Sequence, residues 1–521
     1  MENPSALAVV NVSPEPLISS DSSPIACLPL EILPLIFLEV LQASRAKYSA
    51  ILTISRVARH WRIIALSTPE LWTWIDTHDV GIIQTFMTRA KDRPLSVSLH
   101  EVEADNDLPV NTVLQALHNI RHLELSVHYH TDWTRMGVFD EMEGPAPILE
   151  TLNLDGVCLP ETLFAGSIPS LQHLHLDSFD IGLESIPDCP QLRSLRLIRP
   201  EEQIHIPEFL RRLPTFPLLE VLETVGIFES YSGGGDLPGP VELPNLRTLR
   251  IESELVLDAV HLLERLRVPT SCKIKLDVSQ RESHYYLSLF PALPTCRTGP
   301  TAFIRKVKIL AAGWLTIETY EGDRSPTRDR HAHKYAQRSN VKFTIWPPDR
   351  DRKGYCIHMA ADVCQNYLDL SRLETIDLLS SGLRDHPTQS FWTYVDSLST
   401  LRVLKVRQSY ASSFIDYIST VPPSTGELLP PFSTINELVY EDPSDDADGY
   451  IARLTELVQY LRMRAAKGLA LTTLTLVHVK KYPREIPNGV RDDLRGMVQQ
   501  VRRKVKGIVF DAMSSDVVGE C

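Results

Sequence analysis

A short phrase, Leu-x-x-Leu-x-Leu, recurs along this chain and constrains its fold more than any other feature. Five copies open on proline: Pro147-x-Leu149-x-x-Leu152-x-Leu154, Pro169-x-Leu171-x-x-Leu174-x-Leu176, Pro190-x-Leu192-x-x-Leu195-x-Leu197, the incomplete Pro217-x-Leu219-x-x-Leu222, and Pro244-x-Leu246-x-x-Leu249-x-Ile251. Copies without proline start at Ile120, Leu373, Leu401 and Leu471. In Leu-x-Leu both leucines point to one side of a strand and the residue between them points to the other. The intervening residues Asn153, His175, Arg196 and Arg250 are all polar, so each copy predicts a strand with one apolar and one solvated face. Proline lacks an N–H and disfavours helix in the residue before it. Its place at the head of the phrase therefore predicts the end of a connecting helix.

From Leu123 to Leu249 the steps between successive copies are 29, 22, 21, 27 and 27 residues, at or near the spacing of leucine-rich repeats. Stacked units of this kind bury a continuous leucine core beneath a surface of parallel strands. The expected class is α/β: a small N-terminal three-helix domain followed by an irregular leucine-rich-repeat solenoid of parallel strands and connecting helices.

The regularity breaks between about 252 and 372. Alternation persists in Ile274-x-Leu276-x-Val278, Leu315-x-Ile317 and Val341-x-Phe343-x-Ile345, so strands are expected to continue. Residues 321–353 read as an insertion carrying nine basic against five acidic residues. Further on, Ile451, Leu454, Leu457, Val458 and Leu461 fall at helical spacing and end at Gly468, a C-cap residue. Val490, Leu494, Met497, Val498, Val501, Val505 and Ile508 predict a last, capping helix. The expected organisation is a flexible leader (1–24), a helical domain (25–75), a transition segment (76–115), the repeat array (116–480) and a capping helix with tail (481–521).

The N-terminal helical domain carries its own signature. Leu28-Pro29-Leu30-Glu31-Ile32 opens a helix, and Ile32, Leu33, Ile36, Phe37, Val40 and Leu41 give that helix a wide apolar stripe. Val57-x-Arg59-x-Trp61-Arg62 and Thr68-Pro69-Glu70-Leu71-Trp72 follow. Read from spacing alone, such helices either cap the N-terminal end of a repeat array or present surplus apolar surface to a partner. Their order and spacing resemble the F-box, particularly the form common in fungal proteins. The resemblance implies docking on a Skp-type adaptor and, through it, a cullin–RING ubiquitin ligase of the SCF type. It also implies a role in substrate recognition, with the repeats capturing a target protein. By the same resemblance Leu28, Pro29, Glu31, Ile32, Ile36 and Phe37 are first-helix positions that pack on the adaptor. Leu52, Val57, Trp61 and Ala65 complete the box, partly as core and partly as contact. Pro34 departs from the pattern, since a proline inside the first helix removes a backbone bond to Leu30. The alternative is a leucine-rich-repeat scaffold whose N-terminal helices only cap the array.

Other signals are weak. A net charge of −13 gives no electrostatic reason to expect nucleic acid or an anionic membrane as partner. The most apolar window, Cys27 to Leu41, is too short to span a bilayer and contains Glu31 and Glu39. Without a basic leader or a framework of cysteine spacings, the eight cysteines suggest reduced thiols in the cytoplasm or nucleus. His331-x-His333 and Cys356-x-His358 with Cys364 lack the paired spacing of a zinc site. The acidic stretch Glu441–Asp448 lacks EF-hand spacing, and Gly233-Gly234-Gly235 is not followed by Lys-Ser/Thr. The basic run Arg502-Arg503-Lys504 reads as the solvated face of the last helix. No catalytic constellation and no cofactor motif is present in the sequence, so an interaction protein is expected rather than an enzyme.

Overall fold

The turn that precedes each strand explains the repeated proline. In a computed structural model the Leu149 N–H donates to the Ala146 carbonyl (3.4 Å), Leu171 to Ile168 (3.2 Å), Leu192 to Cys189 (3.0 Å), Leu219 to Phe216 (3.2 Å) and Leu246 to Leu243 (3.2 Å). Proline is therefore the second residue of a β-turn, where its fixed φ is already correct and its missing N–H costs nothing. This corrects the expected role as a helix stop. The same turn forms without proline at Leu370–Leu373, Leu398–Leu401 and Phe432–Ile435.

The structure describes residues 28–102, 108–127, 142, 144–156, 163–230, 237–279, 288–289, 292–293, 297–298, 304–311, 315–321, 341–346, 355–366, 368–380, 388–420, 429–442, 447–478, 498–505 and 508–511, apart from 30, 45 and 181. Outside them lie the expected leader, Gly233–Gly235, the His331-x-His333 pair, residues 443–446 of the acidic stretch and residues 479–497 of the expected last helix. The chain is α/β, with a large, mostly parallel sheet and several helices, and it divides into compact units spanning Met1–Leu149 and Glu150–Cys521.

The first unit holds helices α1 (Ile32–Ala43), α2 (Lys47–Val57) and α3 (Arg59–Ser67), a 3-10 turn at Pro69–Trp72, and β1 (Trp74–Ile75). α4 (Val80–Ala90), β2 (Leu95–Val102), α5 (Leu108–Leu114) and β3 (Ile120–Val127) follow. β1, β2 and β3 pair in parallel. Pro34 is the third residue of α1, so its missing N–H is one the first turn leaves unpaired in any helix. The loss of a helical bond expected there does not arise. Pro29 lies before the helix, where its carbonyl accepts from the Ile32 N–H (3.0 Å). Ala46, the residue before α2, has no capping oxygen. The Asp76 carboxylate caps the helix from a distance, accepting from the N–H groups of Lys47 (2.8 Å) and Tyr48 (3.0 Å). Trp72 is buried: its indole N–H donates to the Ala65 carbonyl (2.8 Å) and its ring meets Phe86 edge-on at 4.9 Å.

In the second unit β4 (Thr151–Asp155), β5 (His173–Asp177), β6 (Ser194–Ile198), β7 (Val221–Val225), β9 (Thr248–Ser253) and β11 (Lys273–Ser279) form a parallel ladder. Its register aligns Leu152, Leu174, Leu195, Leu222, Leu249 and Ile274, each no more than 1% exposed. Full burial of such a side chain is worth about 1.5–3 kcal/mol, so this one column is a principal source of the unit's stability. A side sheet pairs β8 (Val241–Glu242), β10 (Leu266–Pro269) and β12 (Arg297–Thr298). Connections are 3-10 turns at Leu163–Gly166 and Leu183–Ser185, then helices α6 (Ile206–Arg212) and α7 (Val256–Arg265).

The irregular stretch does not interrupt the ladder. β13 (Ile304–Ala311) pairs antiparallel with β14 (Leu315–Glu321), and β14 pairs antiparallel with β15 (Val341–Trp346). β15 lies parallel to β11, and β13 lies parallel to β16 (Thr375–Ser380). The spatial order is thus β11, β15, β14, β13, β16, with a single reversed strand. Residues 341–346 form a ladder strand as the alternation of Val341, Phe343 and Ile345 leads one to expect, although they fall within the stretch read as a charged insertion.

The ladder continues in parallel through β17 (Val403–Gln408), β18 (Glu437–Asp442), β19 (Leu471–His478) and β20 (Val498–Val505), which β21 (Ile508–Asp511) joins antiparallel. Residues 498–508 were expected in a helix. The strand wins because β19 offers an open hydrogen-bonding edge and the segment is rich in β-branched valine. The basic run 502–504 accordingly lies on a strand. Helices α8 (Tyr355–Asn366), α9 (Gln389–Asp396), α10 (Ser409–Thr420) and α11 (Ala447–Ala466) connect these strands. Gly468 ends α11 as expected. Its φ is +75°, and the Leu469 and Gly468 N–H groups return to the carbonyls of Arg464 (2.9 Å) and Ala465 (3.0 Å). Arg464 is 1% exposed and donates to the carbonyls of Pro431, Phe432 and Ile435, locking the turn before β18.

Candidate functional site

α1 is apolar around most of its circumference, and the structure separates its two sides. Leu33, Phe37 and Leu41 are buried, with the Phe37 ring 4.9 Å from Trp61. Away from this stripe Ile32 and Leu35 are 40% and 58% exposed, with Ile36 half-buried beside them at helical spacing, and Val40, which flanks Leu33, is 42% exposed. Val57 at the end of α2 and Ile63 and Leu66 on α3 are exposed as well. Such residues on three short helices are more surplus apolar surface than scattered single exposures explain.

The ten positions named from sequence therefore fall into three groups. Pro29, Glu31, Ile32 and Val57 are exposed; Leu28, Ile36, Leu52 and Trp61 are half-buried; Phe37 and Ala65 are interior. Phe37 and Trp61 meet, and Ala65 joins them to the core through its carbonyl bond to Trp72. Sequence reasoning missed Leu35, Ile63 and Leu66. The available signal was that α1 and α3 carry apolar residues on both sides of their buried stripes.

The second surface is the outward face of the sheet in the second unit. Asn153, His175 and Arg196 align across β4–β6 as expected, and the same row continues through Glu223, Arg250, Lys275, Lys342, Glu318, Lys308, Asp377 and Lys405. Acids in this row are shared between cations. Glu223 pairs with Arg196 (3.5 Å) and with Arg250, while Glu318 pairs with Lys308 (3.4 Å) and Lys342 (3.3 Å). Lys275 pairs with Asp277 (2.6 Å), and Arg407 with Asp377 (3.2 Å). Burial pushes the Glu318 carboxyl up, but the Tyr320 hydroxyl bond and the two lysines outweigh it, so Glu318 sits below the usual carboxylate range. Burial, with Lys405 nearby, holds Lys306 below the ordinary lysine value. Around the reversed strand this face sinks into a depression of about 490 Å³, lined by Glu252, Lys275, Asp277, Lys308, Glu318 and Lys342 with Thr316, Thr344 and Leu310. None of its lysines belongs to a copy of the sequence phrase.

Of the weak sequence signals, Cys356 and His358 lie in α8 with side chains outside the described residues, and Cys364 is a buried thiol whose pKa burial raises to about 12. No described helix is long and apolar enough to cross a membrane. No protein-family model matches the chain, and no curated protein matches it.

Proposed function

We propose that this chain is an interaction protein: the substrate-receptor subunit of an SCF-type cullin–RING ubiquitin ligase. In this reading α1–α3 form an F-box that docks on a Skp-type adaptor, and the strand array behaves as an irregular leucine-rich-repeat solenoid that holds a target protein. The observation that carries it is the surplus apolar surface on α1 and α3, at Ile32, Leu35, Val40, Ile63 and Leu66, within a helical segment whose motif order resembles the F-box. Helices with no partner would place polar residues there, because each exposed leucine or isoleucine forgoes burial.

The mechanism is proximity. The box fixes the chain to the ligase, the array holds the target, and a separate enzyme transfers ubiquitin to a target lysine. Holding two reactants together lowers the entropic part of the barrier without a catalytic residue in this chain. Neither a cofactor nor a metal enters the reading, and the row of shared ion pairs serves recognition.

Co-purification of the full chain with a Skp-type adaptor tests the proposal. A stoichiometric complex supports it. A folded chain that never retains the adaptor overturns it and leaves a repeat scaffold whose N-terminal helices cap the array.

A further inference from the structure

One face of α3 joins exposed cations to exposed apolar side chains. Arg59, Arg62, Ile63 and Leu66 stand at i, i+3, i+4 and i+7, the spacing of a single helical stripe. All four are exposed, Ile63 at 60% and Leu66 at 41%. Exposed Arg56 and Val57, at the end of α2, precede the stripe in the chain. The charge of this region departs from that of the whole. Between Glu39 and Glu70 the sequence holds Arg45, Lys47, Arg56, Arg59 and Arg62 and no acidic residue, in a chain whose total is −13. Among the described residues Arg56, Arg59 and Arg62 have no ion-pair partner. Arg59 and Arg62 also lie in the first turn of α3, where the helix macrodipole disfavours positive charge. The fold gives neither arginine a carboxylate or a favourable helix end, which leaves both available to an anion.

We propose that this face docks an acidic amphipathic helix of another protein. Its carboxylates pair with Arg59 and Arg62, and its apolar side chains cover Ile63 and Leu66, with Val57 at the edge. Guanidinium meets carboxylate through a planar fork of N–H donors, and covering the neighbouring apolar side chains removes water that would screen the pair. A helix suits the stripe because its own i, i+3, i+4, i+7 anchors repeat at the same spacing over the two turns available, about 10 Å. Other anions match less of the face. A phosphate backbone leaves Ile63 and Leu66 uncovered. A bilayer takes up helices whose main apolar face is outward, whereas α3 turns Trp61 and Ala65 toward Phe37 and Trp72. The total of −13 further opposes an anionic lipid surface. If the chain is the receptor proposed above, the acidic helix belongs to its adaptor, and only that identification depends on the receptor reading.

The test uses the full chain and a short, fluorescent, designed helix with leucine along one stripe and glutamate beside it; comparison helices carry glutamine or lysine in place of glutamate. Anisotropy should show the glutamate helix binding most tightly, and its affinity should fall as salt rises. The doubly substituted chain Arg59→Glu, Arg62→Glu should bind it at least about tenfold more weakly and should now prefer the lysine helix. Its melting temperature should hold or rise, because both side chains are exposed and the first turn of α3 favours acidic residues. Arg59→Gln, Arg62→Gln, which introduces no new charge, should show an intermediate loss. Arg211→Gln, an exposed cation on α6, should change nothing. Equal binding of the glutamate and glutamine helices, or an unaltered affinity of both double variants, overturns the site. Adaptor co-purification run on the same variants separates the two readings. Helix binding without adaptor binding rejects the receptor and keeps the site. Adaptor binding that neither double variant weakens, without helix binding, rejects the site alone.

Discussion

Leu35 and Phe37 lie two residues apart on α1 yet should fail in different ways. Leu35 is 58% exposed and Ile63 on α3 is 60% exposed, whereas Phe37 is 1% exposed against Trp61. Full burial of a large aliphatic side chain is worth about 1.5–3 kcal/mol, so covering the exposed share of Leu35 and Ile63 on docking is worth about 1–2 kcal/mol each. Aspartate at both positions removes that gain and buries charge without a partner, costing at least about 2 kcal/mol more. The sum, about 4 kcal/mol or more, corresponds to roughly a thousandfold loss of adaptor affinity. Folding should barely change, because both side chains are mostly in water before docking. Phe37→Ala should instead cost about 3–5 kcal/mol of stability, with any loss of binding secondary to unfolding of α1–α3. Titration calorimetry with the adaptor and thermal melting of each variant separate the two effects. Undiminished adaptor binding by the Leu35→Asp, Ile63→Asp chain would refute the assignment of this surface. Its outright unfolding would refute the burial argument.

Other substitutions test the fold. Arg464→Met takes the donor from the Ile435 carbonyl, while Pro431 keeps the Tyr460 hydroxyl (2.8 Å) and Phe432 keeps the Ile435 N–H (3.2 Å), at about 1–3 kcal/mol for the orphaned group. Hydrogen exchange over 429–436 should accelerate, and unchanged protection there would show that the guanidinium holds nothing in place. The bond to Glu184 raises the Glu208 pKa, with burial adding to the effect, and the same bond lowers that of Glu184. The stability contributed by protonated Glu208 is present below its unfolded pKa and lost as pH rises through its folded pKa. Glu208→Gln donates to Glu184 at every pH, so its melting temperature should gain on the native chain as pH rises through that value; a gap independent of pH would exclude the shared proton. Thr319→Pro removes an N–H from the reversed strand, where Thr319 is 3% exposed between Val307 and Val341. Two calorimetric transitions should then replace one, whereas a single transition would show that the ladder is coupled by other contacts.

What could be read from the sequence follows from where local chemistry decides structure. Leucines two apart with a polar residue between them form strands wherever they occur, so the array from β4 to β9 and the outward placement of Asn153, His175 and Arg196 were legible. Gly468 was legible as well, because few other residues accept a positive φ at a helix end. The two sides of α1 were not. A helix apolar on both sides names no buried face, and Phe37 is interior only because Trp61 folds back onto it. Val498–Val505 has valines at helical spacing, yet a partner edge in β19 decides its form. The proline at the head of each phrase was visible, but its position within a turn depends on a carbonyl three residues before the strand-leading leucine.

Strand direction is the property the sequence conceals most completely, and here it shapes the surface. A strand alternates its faces in either direction, so β14 can run backwards and still keep the core intact. Ile274, Val341, Val307 and Ile376 remain aligned across the reversal, with Thr319 filling the place of an aliphatic residue. The outward row is conserved by the same geometry, which sets Glu318 between Lys342 and Lys308 as Glu223 stands between Arg196 and Arg250. What the hairpin alters is chain order. Lys275 and Lys342, separated by a long stretch of sequence, become direct neighbours because the chain passes over two strand positions and returns to fill them. An array built in simple sequence order would have placed Lys308 beside Lys275 and Lys342 beside Asp377, with Glu318 still between the two lysines. The excursion therefore preserves both the apolar core and the order of charges along the outward row, and changes only which lysine stands beside Lys275 and which beside Asp377.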